Sequence, residues 1–297
     1  MRKNLRMQIE LTNNCNFKCV YCPHSVYGED AGPSGNPFNR PKGFMSEALW
    51  EKSIDTAMKH ARSLTLGFFG EQQLHPDFED WIRAVPKKRR FLMILNSNWS
   101  LVTKETESAL KAFDQVRISF DSSDPDQWEK LCPGGALLTV DGKKSPSRFA
   151  ALADKTKWWM KTRNRPQTNL IFVTQEENKA DINRFVKEWK GVLKRSDKIA
   201  VKSILTYGGV MFDPYMKHNR CKVATENRFT VAWDGRCTPC NLDVNLGMAV
   251  LNLNTHTVDE ILASPEWDKV LDGIRKREGM CSNCFDAQNH SQNYTRG

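Results

Sequence analysis

Nine cysteines carry most of the chemistry that this chain's side chains could perform. Three of them, Cys15, Cys19 and Cys22, stand as C-x3-C-x2-C between Asn14 and Pro23. Thiolate sulfur selects soft metals and iron–sulfur clusters over magnesium or calcium. Three thiolates on one loop can converge on a single cubic iron–sulfur cluster and leave its fourth iron without a protein ligand. As at a catalytic zinc, an unfilled coordination position is where a substrate binds. The competing chemistry is a structural zinc knuckle with His24 as fourth ligand. Five further thiols, Cys221, Cys237, Cys240, Cys281 and Cys284, lie toward the C-terminus, and two C-x2-C pairs among them have the look of a zinc ribbon. Cys132 stands alone between the groups, within Leu131-Cys132-Pro133-Gly134-Gly135.

Short apolar runs alternating with longer amphipathic ones supply the frame. The pattern predicts strands over 7–11, 64–69, 91–95, 116–120, 170–173 and 199–205, with helices over 46–61, 77–84, 104–113, 149–161 and 182–193. Ser46 is the expected N-cap of the first helix. Strands separated by helical crossovers pair in parallel, and ligands then sit at their carboxyl ends. Cys15, Cys19 and Cys22 follow the first strand, so they fall at that end. Two stretches break the rhythm: a Gly-, Pro- and Asn-rich loop over 27–42, and turn chemistry with a small hairpin over 132–147. After about residue 206 the alternation stops. A β-hairpin turning at Asp234-Gly235, a helix over 258–276 and a polar tail follow. The expectation is a mixed α/β chain of two domains, 1–205 and 206–297, with no internal repeat.

The first cysteine loop resembles the signature of the radical S-adenosylmethionine (SAM) enzymes, C-x3-C-x-aromatic-C after strand one of a partial (β/α)6 barrel, with Tyr21 at the aromatic position. The resemblance implies a 4Fe–4S cluster on Cys15, Cys19 and Cys22 whose open iron binds SAM. Reductive cleavage of SAM then yields a 5′-deoxyadenosyl radical that abstracts hydrogen from substrate. Three strand-end motifs are similar to the family's SAM contacts: Gly70-Glu71 for the amino group, Asn96-Ser97-Asn98 for the ribose, and Ser119 and Asp121 as its Ser-x-Asp. Phe69 and Gln72 flank the Gly-Glu pair where the family usually has Gly or Pro. Arg148, Lys155 and Lys157 lie in the region where a basic partner for the SAM carboxylate is expected.

The C-terminal region resembles the SPASM and twitch groups of the same superfamily. Their order of features is a cysteine, a strand, Asp-Gly, x-x-Pro-Cys, a Trp-containing helix and C-x2-C; here it runs Cys221, 229–233, Asp234-Gly235, Thr238-Pro239-Cys240, Trp267 and Cys281/Cys284. This implies a second, auxiliary 4Fe–4S cluster on Cys221, Cys240, Cys281 and Cys284. Fully ligated by protein, it would conduct electrons or staple the small domain. No cysteine follows Cys284, the pattern of the shorter twitch form. Cys132 and Cys237 read either as small buried residues or as hydrogen-atom donors to a substrate radical.

Composition bounds the function classes. The chain has 297 residues and 39% hydrophobic content, enough to bury a core without disulfides. It contains no apolar run of the roughly 18 residues needed to span a bilayer. The N-terminus shows no secretory h-region, so the expectation is a cytoplasmic protein. A net charge of +9 admits an anionic partner, but neither cysteine region concentrates it, so a zinc-dependent nucleic-acid module is disfavoured. The basic run Lys87–Arg90 reads as a solvated loop. The leading expectation is an oxidoreductase acting on a small polar molecule such as a sugar, cyclitol or nucleoside, served by a reductant such as flavodoxin or ferredoxin. A redox-neutral epimerase, dehydratase or isomerase is the runner-up, and peptide modification is third.

Overall fold

The computed structural model describes residues 4–25, 38–135, 137–205, 207, 221–284 and 291–296. Most of the loop expected over 27–42 and of the boundary expected near 206–220 lies outside the described residues. In chain order the elements are β1 (Leu5–Ile9), α1 (Glu47–His60), β2 (Ala61–Leu66), α2 (Phe78–Ala84), β3 (Leu92–Ser97), α3 (Glu107–Leu110), β4 (Gln115–Ser119), α4 (Pro125–Leu131), α5 (Arg148–Lys161), β5 (Gln167–Thr174), α6 (Ile182–Lys190), β6 (Lys198–Ser203), β7 (Arg228–Val231), β8 (Arg236–Thr238), β9 (Leu251–Asn252), α7 (Val258–Leu262), α8 (Pro265–Lys276) and β10 (Ser291–Tyr294).

Local chemistry explains most boundaries. The Ser46 side chain accepts from Leu49 N and starts α1 where expected. The single helix expected over 258–276 is two helices. Ser264 caps a new start through Trp267 N, and Pro265, which has no N–H to give, occupies the first position of α8. α4 begins in the same way, with Asp124 as cap and Pro125 next. A small hairpin does form after Cys132, closed by a bridge between Leu138 and Lys144.

The ten strands among the described residues belong to one sheet, ordered β10-β6-β5-β4-β3-β2-β1-β7-β8-β9. Strands β1 to β6 pair in parallel with their sequence neighbours. The hairpin continues this sheet: β7 pairs in parallel with β1, and β8 and β9 add antiparallel. The polar tail contributes β10, antiparallel to β6. Its side chains carry no alternation, and backbone pairing alone makes it a strand.

The parallel strands present two faces with period two. Met7, Ile9, Leu64, Leu66, Met93, Leu95, Val116, Ile118, Leu170 and Phe172 are buried in the main core on one face. The other face carries Gln8, Thr65, Asn96, Arg117, Ser119, Lys202 and Thr230 around a cavity of about 840 Å³. That cavity touches β6 and β7, which have five strands between them in the sheet, so the sheet curves around it as a partial barrel. A closed βα barrel fills its interior with branched apolar side chains; polar and charged ones here leave a chamber. No helix among the described residues is long and apolar enough to cross a membrane.

Candidate active site

The loop bearing Cys15, Cys19 and Cys22 leaves the carboxyl end of β1 and is clamped from two sides. On one side Thr12 Oγ1 donates to the Gly43 carbonyl at 2.6 Å, and the Gly43 amide donates to Asn13 Oδ1 at 2.9 Å. Gln72, the residue that departs from the family pattern, accepts from Leu11 N at 2.6 Å and donates to the Thr12 and Phe69 carbonyls at 3.2 and 3.0 Å. The Glu71 amide donates to Asn14 O at 2.8 Å. Gly70 makes that approach feasible: it has φ +79, and a Cβ there would stand 2.6 Å from both the Thr12 and Asn14 carbonyl oxygens. On the other side Lys18 N donates to Pro133 O at 2.7 Å, Val20 N to Leu131 O at 3.0 Å and Gly135 N to Asn16 O at 2.8 Å. The Pro-Gly-Gly stretch read as a turn is thus a rail for the cysteine loop. Only a glycine fits at 134, because a Cβ would meet Asn16 O at 2.5 Å.

Between the clamps lies a cavity of about 170 Å³, lined by Cys15, Cys19 and Cys22 together with Tyr21, Gly70, Glu71, Asn96, Ser119, Asp121 and Cys132. Burial pushes the Cys15 and Cys22 thiols up to about 12. Cys19 is raised by a hydrogen bond with the Cys132 thiol and by burial. Buried thiols of this kind become ligands when a metal centre supplies the compensating charge. Among the described residues no three Cys, His, Asp or Glu side chains are gathered tightly enough for one ion. Two N–H groups already face Cys15 Sγ, from Phe17 at 3.4 Å and Asn98 Nδ2 at 3.9 Å. Asn98 was not singled out from its motif, although its place two residues after Asn96 puts it on the same strand-end loop.

The carboxylates in this cavity are heavily engaged. Glu71 accepts from Asn98 N at 2.6 Å and Ser97 Oγ at 3.1 Å, and burial raises its carboxyl to about 7. Asp121 accepts from Val173 N at 2.7 Å and from the Tyr21 hydroxyl, and burial raises it to about 6. Tyr21 and Asp121, expected as separate SAM contacts, therefore meet each other. The Cys132 sulfur sits 3.6 Å from the Tyr21 hydroxyl and 3.9 Å from Asp121 Oδ2.

None of the three basic residues expected near the SAM carboxylate lines this cavity. Lys155 is buried and donates to Ser100 O at 2.6 Å; burial lowers it to about 7 although Glu71 pulls the other way. Arg148 donates to the Cys132 and Gly135 carbonyls and pairs with Glu129. Lys157 lies over the Trp189 ring.

The second cysteine group gathers beyond the hairpin. Cys221, Cys240 and Cys281 pack in one small apolar cluster with Val223 and Ile274, and the Cys240 thiol also feels Cys284. Arg277 donates to the Cys281 and Cys284 carbonyls at 3.3 and 2.7 Å and shapes that knuckle. Cys237 goes elsewhere. It is fully buried in the main core, bonds to Gly235 O at 3.3 Å and lines neither cavity, which leaves it without access to a substrate radical. The hairpin strand's alternation turns it inward beside Val231 and Leu251.

One buried ion pair ties these parts together. Arg40 donates to both Glu10 oxygens at 2.8 and 2.7 Å and to Val244 O at 2.8 Å, and both side chains are almost fully buried. Nothing in the sequence around Arg40, a lone base in a Pro- and Asn-rich loop, distinguishes it from a solvated charge.

Residues 9–188 match the family model described as the radical SAM superfamily, and residues 221–285 match one described as an iron–sulfur cluster-binding domain, SPASM. A probable GTP 3′,8-cyclase of Methanocella arvoryzae is 31% identical over 147 residues, covering 48% of this chain and 43% of that protein. The chain thus spans less than half the length of the first curated relatives it matches. BtrN, solved in complex with AdoMet and 2-DOIA, superimposes with a TM-score of 0.59 at 17% identity, over 96% of this chain and 94% of that one. Streptococcus suis SuiB, solved bound to the precursor peptide SuiA, superimposes with a TM-score of 0.68 at 12% identity, over 96% of this chain and 70% of that one. At these identities the likeness is one of fold.

Proposed function

The chain belongs to the radical SAM superfamily and carries a SPASM iron–sulfur cluster-binding domain, and on that premise we propose that it oxidises a small polar substrate by abstracting hydrogen from an unactivated C–H bond. Residues 1–205 form the barrel unit in this reading, and 206–297 carry the auxiliary site. When bound, a 4Fe–4S cluster with SAM supplies the hydrogen-abstracting 5′-deoxyadenosyl radical, and a second cluster supplies an acceptor for the remaining electron. Cys15, Cys19 and Cys22 would hold the first cluster, and Cys221, Cys240, Cys281 and Cys284 the second.

The observation that carries the reading is a shared wall. Tyr21, Asn96 and Ser119 line both the cysteine-lined cavity and the larger barrel chamber. A molecule in the chamber therefore adjoins the rim of the SAM site along this wall. Gly70 and Glu71 face the amino end of SAM in this reading, and Asn96 and Ser119 its ribose. The Tyr21–Asp121 pair positions the rim, with the buried phenol fixing the carboxylate. Electrons enter from a small reductant of the flavodoxin or ferredoxin class.

A redox-neutral reaction is the second reading, favoured by Cys132, whose sulfur lines the cysteine cavity beside Tyr21. A thiol there suits return of a hydrogen atom to a substrate radical, because S–H bonds are weaker than most C–H bonds.

Anaerobic reconstitution tests the core of the proposal. About 8 iron and 8 sulfide per chain, with SAM cleaved under dithionite, is the expected result. Stoichiometric zinc without iron would sink it. Product formed in D2O separates the two readings: oxidation puts no solvent deuterium on carbon, whereas hydrogen return through Cys132 does, and Cys132→Ala abolishes it.

A further inference from the structure

The barrel chamber carries an unbalanced charge. Five basic side chains, Arg6, Arg62, Arg117, Lys202 and Arg228, line it, and among the described residues no Asp or Glu does. Three of the five are accounted for. Arg6 and Arg228 share the Glu226 carboxylate as an ion-pair partner, at 3.1 and 2.7 Å, and Arg62 is exposed near the start of β2.

Arg117 and Lys202 are not. Arg117 gives its Nε to Gln115 Oε1 at 2.7 Å and has no ion-pair partner among the described residues. Lys202 has neither a hydrogen bond nor an ion pair to a described residue. The charges it feels are Arg117 and Lys198, which repel it, and Asp121, which attracts it but already accepts from Tyr21 and Val173. Burial and the neighbouring cations bring Lys202 down to about 8. Two largely desolvated cations that repel each other across one chamber are costly unless an anion sits with them.

Their places in the sheet add direction. Arg117 lies two residues before Ser119 on β4, hence on the same inward face, one step deeper than the wall shared with the cysteine cavity. Lys202 on β6 pairs with Val173, the residue whose amide holds Asp121. A group bound between them is seated in the chamber floor, and atoms attached to it extend past Ser119 toward the SAM site.

We infer that the substrate carries an oxyanion, a carboxylate or a phosphate ester, that Arg117 and Lys202 clasp on the chamber side of Ser119. The inference rests on the reading of the chamber as the substrate site, and it sharpens "small polar molecule" to an acidic one.

The test uses the reconstituted full chain with SAM, held anaerobic. Inorganic phosphate is titrated and followed by phosphorus NMR line broadening, and labelled acetate by carbon NMR; the tighter of the two identifies which oxyanion the clasp prefers. Arg117→Gln and Lys202→Gln are each expected to weaken that binding about ten- to a hundredfold, the loss of one charge-assisted contact, while SAM affinity stays within experimental error. Lys87→Gln, a surface charge, controls for net charge, and iron content reports that each variant folds. Absence of saturable binding to either probe overturns the inference. So does a loss of SAM affinity in the two variants, which would reassign the pair to the methionine carboxylate. Oxyanion binding without SAM cleavage would leave the clasp standing and overturn the proposed function instead.

Discussion

Gly70→Ala is the most direct probe of how the cluster loop is held. The added Cβ would stand 2.6 Å from Thr12 O and Asn14 O and 2.8 Å from Asn13 C. All three are backbone atoms, so no side-chain rotation relieves the contact. Ordinary van der Waals separation requires a retreat of about 0.5–1 Å by either loop or turn. Two costs combine. Holding a non-glycine residue at φ +79 costs about 1–2 kcal/mol, and forcing a methyl into packed backbone about 1–3 kcal/mol. The sum, about 2–5 kcal/mol, falls on the segment that delivers Cys15, and the bond from Glu71 N to Asn14 O at 2.8 Å is the first to break. The expected result is a circular dichroism spectrum like that of the parent, a guanidinium unfolding free energy lower by that amount, and iron loading at the first site well below one cluster per chain. Gly191→Ala is the control, because nothing lies within 4 Å of where its methyl would stand and its backbone is ordinary helix. Full iron loading and unchanged stability in Gly70→Ala would refute the claim that this turn sets the loop. Equal losses in both variants would refute it as well.

Three further outcomes follow from the buried groups. Lys155 has its proton affinity lowered from 10.5 to about 7, so between those pH values the unfolded chain holds a proton that the folded one has shed, and stability rises with pH. The contribution is at most about 1.4 kcal/mol per pH unit; Lys155→Met should remove it, so its stability relative to the parent should fall steadily from pH 7 to 10, and a constant difference would contradict the assignment. Cys237→Ala is expected to cost about 1 kcal/mol of stability with the rate of 5′-deoxyadenosine formation and the product unchanged; a change in product would return Cys237 to the active site. Arg40→Met should destabilise by about 3–5 kcal/mol because it strands a buried carboxylate, and adding Glu10→Leu should recover most of the loss in a denaturation cycle; additive losses would mean that the pair does not act as a unit.

The cysteine loop and strand-end motifs were legible because they are local: a ligand spacing, a Gly-Glu pair, a Ser-x-Asp, each at the end of an apolar run. The parallel core was legible for the same reason, since its strands differ in composition from the helices between them. What the sequence did not display depends on pairing across distance. The β7 strand joins β1 through backbone bonds that any residues could make. Residues 291–294 form β10 without an apolar pattern. The meeting of Tyr21 with Asp121 spans a hundred positions. The chamber's charge did leave a signal. Arg117 and Ser119, like Gln8 and Thr65, occupy alternate positions within their strands, and reading the polar half of that alternation as an inward face would have found them.

Besides the pairing of β7 with β1, the two cysteine groups are linked through Glu10. This one carboxylate, at the carboxyl end of β1, accepts from Phe69 N and Trp233 N at 3.3 Å each and from both terminal nitrogens of Arg40. Arg40 in turn holds Val244, four residues past Cys240, while Phe69 precedes the Gly70 turn that clamps the first cysteine loop. The Arg40 contacts are short, buried and charge-assisted, so slippage between the barrel and the hairpin would have to expose or unpair a charge. Electron movement between two metal sites depends steeply on their spacing, and a buried charge hub resists drift better than apolar packing, which tolerates sliding. An oxidation needing both sites at a constant spacing would find in Glu10 and Arg40 the restraint it requires.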